Sequence, residues 1–386
     1  MAIDNKDKKV LNVPHLRFPE FTEEWEETTL GKISEITKGS GISKDQLSEQ
    51  GSPCILYGEL YTKYKSEIID EVYSRTELDS SSLVKSKAND VIIPCSGETA
   101  IDISTARCVP FNNILLGGDL NIIRLKHDDG GFFAYQLNGA RKKDIARVAQ
   151  GVSVVHLYGE NLKHIRVYHP AIEEQKKITR LLSLIDERIA TQNKIIEDLK
   201  KLKSAIRKRV FSLLKDEYTE SFEINQLLAY EQPSTYLVAN DEYSKDITLI
   251  PVLTANKGFI LGYTDEDFGV YQKGECIIFD DFTMDAKYVS FPFKVKSSAI
   301  KILTAKPCVN LRFMFEYLSY LELKSEEHKR HYISEIASLV IEIPSLKRQN
   351  EIAFLMTSLD NKLTLEENAK VRYENEKQYL LSQMFI

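Results

Sequence analysis

Along residues 172–214, apolar side chains recur at alternating steps of four and three. Ile178, Leu182, Ile185, Ile189, Gln192, Ile196, Leu199, Lys203, Ile206 and Val210 mark the seam, and eight of these ten positions are apolar. That is a heptad pattern held over more than four repeats, and it predicts one continuous helix. At ~1.5 Å per residue the helix is roughly 60 Å long. Pro170 precedes it, Glu173 and Glu174 suit its first turn, and basic residues crowd its last turns, as the helix dipole favours. A second seam takes the same steps through Ile352, Met356, Leu359, Leu363, Glu366, Lys370, Tyr373, Lys377, Leu380 and Met384. It is apolar at both ends and polar in the middle, and Leu355 and Leu365 are expected to widen its stripe. Helices of this length are marginal alone in water. Antiparallel pairing of the two into one rod is the expectation. Parallel pairing, or packing of each against its own domain, are the alternatives.

Between the helical stretches the period changes. Residues 54–57, 91–94, 120–125, 275–279 and 299–303 are short strand-like runs between turn signals. Short helical patterns follow late in each segment, at 131–137 and 311–318. The fold class expected is mixed α/β (α+β) with a bent, partly barrel-like sheet in each segment.

The segments repeat. Phe21-Thr22-Glu23-Glu24-Trp25-Glu26 with Leu30 returns as Tyr218-Thr219-Glu220-Ser221-Phe222-Glu223 with Leu227, at an offset of 197 residues. Pro170-Ala171-Ile172-Glu173-Glu174-Gln175 returns as Pro344-Ser345-Leu346-Lys347-Arg348-Gln349 at an offset of 174, and that register runs on through Asp186/Asp360 to Phe211/Phe385. A period this long marks a duplicated domain rather than a solenoid array. The expected division is an N-terminal segment 1–24, a first globular domain 25–170, a first long helix 171–215, a second domain 216–343 and a second long helix 344–386. Similar ends around unlike centres imply a common frame presenting two different surfaces, with pseudo-twofold internal symmetry. The Gln150-Gly151-Val152-Ser153 element has no clear twin in the second half.

Composition changes this picture little. Of 386 residues, 43% are hydrophobic and 28% charged, ordinary for a soluble globular protein. The polar start lacks an apolar signal region, and no stretch approaches a membrane span. Five cysteines, with no C-x-x-C pair, argue for a reduced cytoplasmic protein rather than a disulfide framework. The net charge of −6 disfavours an unspecific polyanion binder. Local basic clusters stand out at 198–215 and at Arg141, Lys142, Lys143 and Arg147.

The loops hold residues suited to base-edge reading, where Lys pairs with guanine, Asn with adenine and carboxylates with the cytosine amine. In the first domain these are Lys38, Ser40, Ser43, Lys44, Tyr57, Tyr61, Lys63, Ser96, Glu98 and Thr99. In the second they are Thr254, Asn256, Lys257, Tyr263, Asp280, Asp281 and Thr283. A solvated loop residue is the alternative at each position. Catalytic signatures are missing. Gly31-Lys32 lacks the upstream glycine of a phosphate loop, and no G-x-G-x-x-G follows a strand. No Asn/Asp-Pro-Pro-aromatic tetrapeptide of an amino-methyltransferase occurs. His328 and His331 lack further ligands and read as surface residues. Asp280-Asp281 with Asp285 lacks the glycine and terminal glutamate of a calcium loop, so no metal is expected. The chain reads as a recognition device rather than a catalyst.

The VPHLRFPEF segment with Trp25-Glu26-Glu27-Thr28-Thr29-Leu30-Gly31 resembles the start of specificity subunits of type I restriction–modification systems. Gln150-Gly151-Val152-Ser153 leading to Pro170-Ala171-Ile172-Glu173-Glu174-Gln175 is similar to the same family, which usually carries Pro-Leu or Pro-Pro-Leu before Glu-Glu-Gln. The second copy keeps proline and glutamine and loses both glutamates. The resemblance spans essentially the whole chain. It implies two target-recognition domains, each reading half of a bipartite double-stranded DNA site, with the helices as a fixed spacer. It further implies two methyltransferase (modification) subunits as partners, with restriction/translocase subunits in the cleaving form. S-adenosylmethionine, ATP and magnesium would belong to those partners, with no cofactor in this chain. The rival reading is a coiled-coil scaffold that binds proteins alone. A self-contained DNA-modifying enzyme, its chemistry in the 280–285 loop, is a third.

Overall fold

The computed structural model describes residues 11–214, 219–254, 258–323 and 332–386. Asn256, Lys257, His328 and His331 lie outside the described residues. The chain divides into two compact units, Met1–Asn193 with Asn368–Ile386, and Lys194–Glu367.

In the first unit a four-stranded sheet has the order Ser34–Lys38, Leu120–Leu125, Asp90–Pro94, Arg107–Val109, antiparallel throughout. A three-stranded sheet sets Ser52–Ile55 between antiparallel Ser74–Thr76 and parallel Leu115–Leu116. Glu26–Thr29 pairs with Arg166–His169, just ahead of the long helix Ile172–Leu213. The second unit repeats this strand for strand. Leu228–Glu231, Ile300–Ala305, Cys276–Asp280 and Ala286–Val289 form the four-stranded sheet. Ile250–Leu253 lies between antiparallel Ile260–Thr264 and parallel Lys294–Val295. Thr219–Glu223 pairs with Val340–Pro344 ahead of the helix Leu346–Gln383. The sheets are ladders of two to four short strands, and they mix parallel with antiparallel pairing as the expected α/β class requires. The pair Val155–His156 with Ser96–Gly97 has no counterpart among the described residues of the second unit. It carries the Gln150–Ser153 element that lacked a sequence twin.

All ten predicted seam positions of each helix are buried or half-buried. Leu355 and Leu365 do not widen the second stripe. They are exposed, because helical period rather than hydrophobicity decides which side faces inward. Within the first unit, Ile178 and Leu182 share a core with Leu381, Met384 and Phe385, and further along Asp186 meets Lys377. One number rises as the other falls, so these helical segments run antiparallel. Within the second unit, Phe211 shares a core with Ile352 and Met356, Lys203 pairs with Asp360, and Lys200 pairs with Glu367 at 2.9 Å. The sense is again antiparallel.

The sequence repeat thereby acquires a physical meaning. Asp186 and Asp360 are twins at the 174-residue offset, and so are Lys203 and Lys377. In each unit the aspartate of one copy pairs with the lysine of the other. Phe385 packs on Phe132 at 5.2 Å, and its twin Phe211 packs on Phe313 at 5.5 Å. The surviving glutamines clamp helix to domain. Gln175 Nε2 donates to the Pro170 carbonyl while its Oε1 accepts from the Asp129 amide, both at 2.9 Å. Gln349 does the same with Pro344 and Asn310, again at 2.9 Å. Asp129 and Asn310 are the N-caps of helices Gly130–Asn138 and Leu311–Tyr320. Glu174 lies under the N-terminal segment as well as in its helix's first turn, held by two 2.7 Å bonds from Arg17.

Much of the basic cluster at 198–215 is committed inside the second unit. Arg207 and Arg312 both pair with the fully buried Glu316, and Lys208 pairs with Glu322 at 2.8 Å. Arg141 and Arg147 likewise pair with Asp144. Arg207 and Arg312 are thus committed to the fold, whereas Lys208 and Arg147 sit in exposed pairs that add little to stability.

Candidate nucleic-acid interface

In the first unit three loops converge on an open cleft of about 880 Å³. Its lining includes Ser43, Lys44, Tyr57 and Lys63, four of the residues picked out from the sequence, together with Glu59 and Gly117-Gly118-Asp119. The loops can approach this closely because glycines cross. A Cβ on Gly39 would lie 1.9 Å from the Gly117 carbonyl oxygen, and one on Gly118 would lie 3.2 Å from the Gly41 Cα. Ser40 belongs to that floor, where its Oγ accepts from the Val84 amide at 2.8 Å.

The 56–63 loop is shaped by Glu59, a buried carboxylate. It accepts from the Leu56 amide at 3.0 Å, from Lys63 Nζ at 2.6 Å and from the Ser74 hydroxyl. Lys63 is thus partly spoken for. Arg107 donates to the carbonyls of Leu60 at 3.2 Å and Tyr64 at 2.9 Å, which pins the loop from beneath. Burial around Arg107 is the main influence on its guanidinium and lowers its pKa. Lys44 opens a short 3-10 turn closed by the Ser43 amide donating to Gln46 at 2.9 Å.

Tyr61 joins a second set to the cleft. Its hydroxyl sits 3.7 Å from where a Gly58 Cβ would be and 3.8 Å from a Gly97 Cβ, which brings Ser96 and Glu98 to the same end of the unit. Burial raises the Tyr61 pKa, and the neighbouring Tyr57 and Glu98 add to it. Thr99 serves as a cap: its Oγ1 accepts from the Asp102 amide at 3.1 Å and donates to the Asp102 carboxylate at 2.6 Å. Lys38 and Asp119 both lie close enough to act electrostatically on the buried Cys95 thiol, which burial pushes up to about 11.

The second unit distributes its selected residues differently. Thr254 is buried, and its amide donates to the Phe259 carbonyl at 2.9 Å. Tyr263 is half-buried in the ladder and exchanges backbone bonds with Ser244. Thr283 is exposed. Asp280 and Asp281 are buried, and this corrects their reading as base contacts. Asp280 accepts from the Phe282 and Thr283 amides at 2.7 and 3.1 Å. Asp281 pairs with buried Lys301 at 3.3 Å and accepts from the Tyr332 amide at 2.8 Å. Their charge is consumed inside the unit, because an unpaired buried carboxylate is costly.

Sequence reasoning passed over the Gly117-Gly118-Asp119 turn, although a Gly-Gly-Asp between two apolar runs is a turn signal. It also passed over Glu59, whose structural role depends on distant partners.

The sequence profile of the type I restriction modification DNA specificity domain matches this chain twice, at residues 22–201 and 217–374. The chain is 41% identical over 182 residues to the type I restriction enzyme EcoR124I/EcoR124II specificity subunit of Escherichia coli, covering 42% of this chain and 44% of that protein. It is 24% identical over 211 residues to the type I restriction enzyme MjaVIII specificity subunit of Methanocaldococcus jannaschii, covering 54% and 46%. Each alignment thus spans less than half of the relative. The crystal structure of a type I restriction–modification S subunit from M. genitalium shares the fold at a TM-score of 0.65 and 16% identity, over 97% of this chain and 99% of that one. Two profile matches, one to each repeat of the shared set of ladders, place this chain in the type I restriction modification DNA specificity domain family.

Proposed function

We propose that this chain selects the DNA sequence for a type I restriction–modification complex. Each unit reads one half of an asymmetric bipartite duplex site. The chain contributes recognition and no catalysis. Two methyltransferase subunits and restriction/translocase subunits assemble on it in the cytoplasm and bring S-adenosylmethionine, ATP and magnesium. Exposed apolar side chains on the second helix, among them Phe354, Leu365 and Tyr379, suit protein docking.

One observation carries the reading: equivalent loop positions share a backbone and differ in side chain. The Cys95 amide donates to the Asp119 carbonyl at 2.7 Å, and the Asp281 amide donates to the Ala299 carbonyl at 3.1 Å, at the same place in the same ladder. A fixed frame with interchangeable tips is what two unlike half-sites require. Phosphate contacts supply most of the affinity and the tips supply the choice of bases.

Genome-wide mapping of methylated adenines with and without this gene tests the reading. An asymmetric bipartite motif that vanishes on deletion is the expected result, and an unchanged methylome rules the function out. Removing seven residues, about two turns, from each long helix is expected to alter the tolerated spacer and leave both half-sites intact.

A further inference from the structure

We propose that Asp119 is a base-reading residue of the first unit. Its carboxylate accepts a hydrogen bond from an exocyclic base amine, a cytosine N4 or an adenine N6, in the major groove. The inference rests on the DNA-specificity reading above and assigns one chemical contact within it.

The carboxylate is presented from a rigid support. Its backbone carbonyl is fixed by the Cys95 amide at 2.7 Å, and the preceding glycines pack closely: a Cβ on Gly39 would fall 1.9 Å from the Gly117 carbonyl oxygen, and one on Gly118 would fall 3.2 Å from the Gly41 Cα. Base reading needs such preorganisation. The side chain itself is exposed and has no hydrogen-bond or ion-pair partner among the described residues. Two neighbouring acids are already used: Glu59 by Leu56, Lys63 and Ser74, and Asp102 by Thr99. Asp119 is thus an unclaimed acceptor at the cleft.

Electrostatics decides what it can accept from. Duplex DNA carries one negative charge per ~1.7 Å of axis, so a bare carboxylate facing it is repelled. Only a donor on the DNA reverses that sign. The base donors exposed in the major groove are the cytosine and adenine amines. Lys44 lines the cleft, and the exposed Lys38 acts on Cys95 as Asp119 does, so both cations can hold the phosphates while Asp119 meets the base edge. The equivalent position in the second unit is Ala299, with the same backbone bond and no carboxylate, so the contact belongs to one half-site alone.

The test uses the full-length chain assembled with its methyltransferase subunits, as wild type, Asp119→Ala and Asp119→Asn. Methylated sequences are mapped over a random-sequence DNA library. The expected result is that one position, in one half-site, loses its preference for the amine-bearing base by about tenfold, with the other half and the spacer unchanged. The Asn variant keeps the shape but also donates, so it redirects that preference and guards against a folding artefact in the Ala variant. Identical motifs for all three proteins overturn the inference, as does equal weakening in both halves. A wild type that yields no bipartite motif overturns the specificity reading itself, which separates the two failures.

Discussion

Lys377→Met gives the sharpest test of how the first unit is held together. Lys377 is 8% exposed, lies 2.6 Å from Asp186 and 2.5 Å from Glu67, and stands over the Tyr135 ring. Tyr135 in turn donates to Asp186 at 2.7 Å. Removing one member of a buried ion pair costs about 3–5 kcal/mol, because the remaining charge is left without compensation. For a unit of roughly 200 residues each kcal/mol shifts the midpoint by about 2–4 °C, so the first unit is expected to melt about 6–20 °C lower. The pH dependence identifies the cause. Burial raises the pKa of Asp186, and Lys377 is the main influence opposing it, with a smaller one from the Tyr135 hydrogen bond. With methionine in place of lysine the pKa climbs further. A raised folded-state pKa means that stability is recovered as pH falls through it and lost as pH rises. The penalty at pH 8 should therefore exceed that at pH 5. The double variant Asp186→Asn with Lys377→Met should cost less than the sum of the singles. Chemical denaturation of the three variants at both pH values measures this. A loss under 1 kcal/mol, or one equal at both pH values, refutes the reasoning.

Two further outcomes follow from single contacts. Gln349→Ala removes both bonds of a buried clamp and leaves the Asn310 amide and the Pro344 carbonyl unsatisfied, so it should destabilise the second unit by about 1–3 kcal/mol in urea unfolding. His169 lies 3.1 Å from Asp128, and that hydrogen bond raises the His169 pKa against the opposing effect of burial. Its stabilisation should be full in mild acid and fade as pH rises through the raised value, and a His169→Gln variant should lack that slope in thermal melts between pH 5 and 8.

The long helices were legible because their period is a local property: all ten seam positions of each face inward. The polar middle of the second seam obeys the same geometry, with Glu366 and Lys370 inward and half-buried while Leu365 stays outside. The Pro-to-Gln spacing of the repeat was visible, but the reason for it was not. Gln175 reaches the Asp129 amide 46 residues away, and Gln349 reaches the Asn310 amide 39 away. The first unit's cleft was half readable. Its loops were marked by polar and aromatic residues, yet the crossing of Gly39 with Gly117 joins stretches that no local pattern connects. Basic clusters misled for the same reason, since the acids that neutralise them, such as Glu316 for Arg207, lie 109 residues off.

Adjacent aspartates in a loop look like ligand contacts until their partners are found, and Asp281 shows how to separate the two roles. Its carboxylate meets Lys301, which is 1% exposed, and the Tyr332 amide, which is buried. Asp281→Ala should thus act on stability, costing about 3–5 kcal/mol by leaving the lysine buried and unpaired. The second change Lys301→Met removes that stranded charge, so the pair of substitutions should recover much of the loss. A reader of bases behaves otherwise. Asp281→Ala would then leave the unfolding midpoint in place and change one half of the methylated motif, and Lys301→Met would add nothing. Measuring midpoint and motif on the same three proteins therefore decides the matter: a stable Asp281→Ala protein with an altered half-site would return this residue to the DNA surface and overturn the structural role argued from its burial.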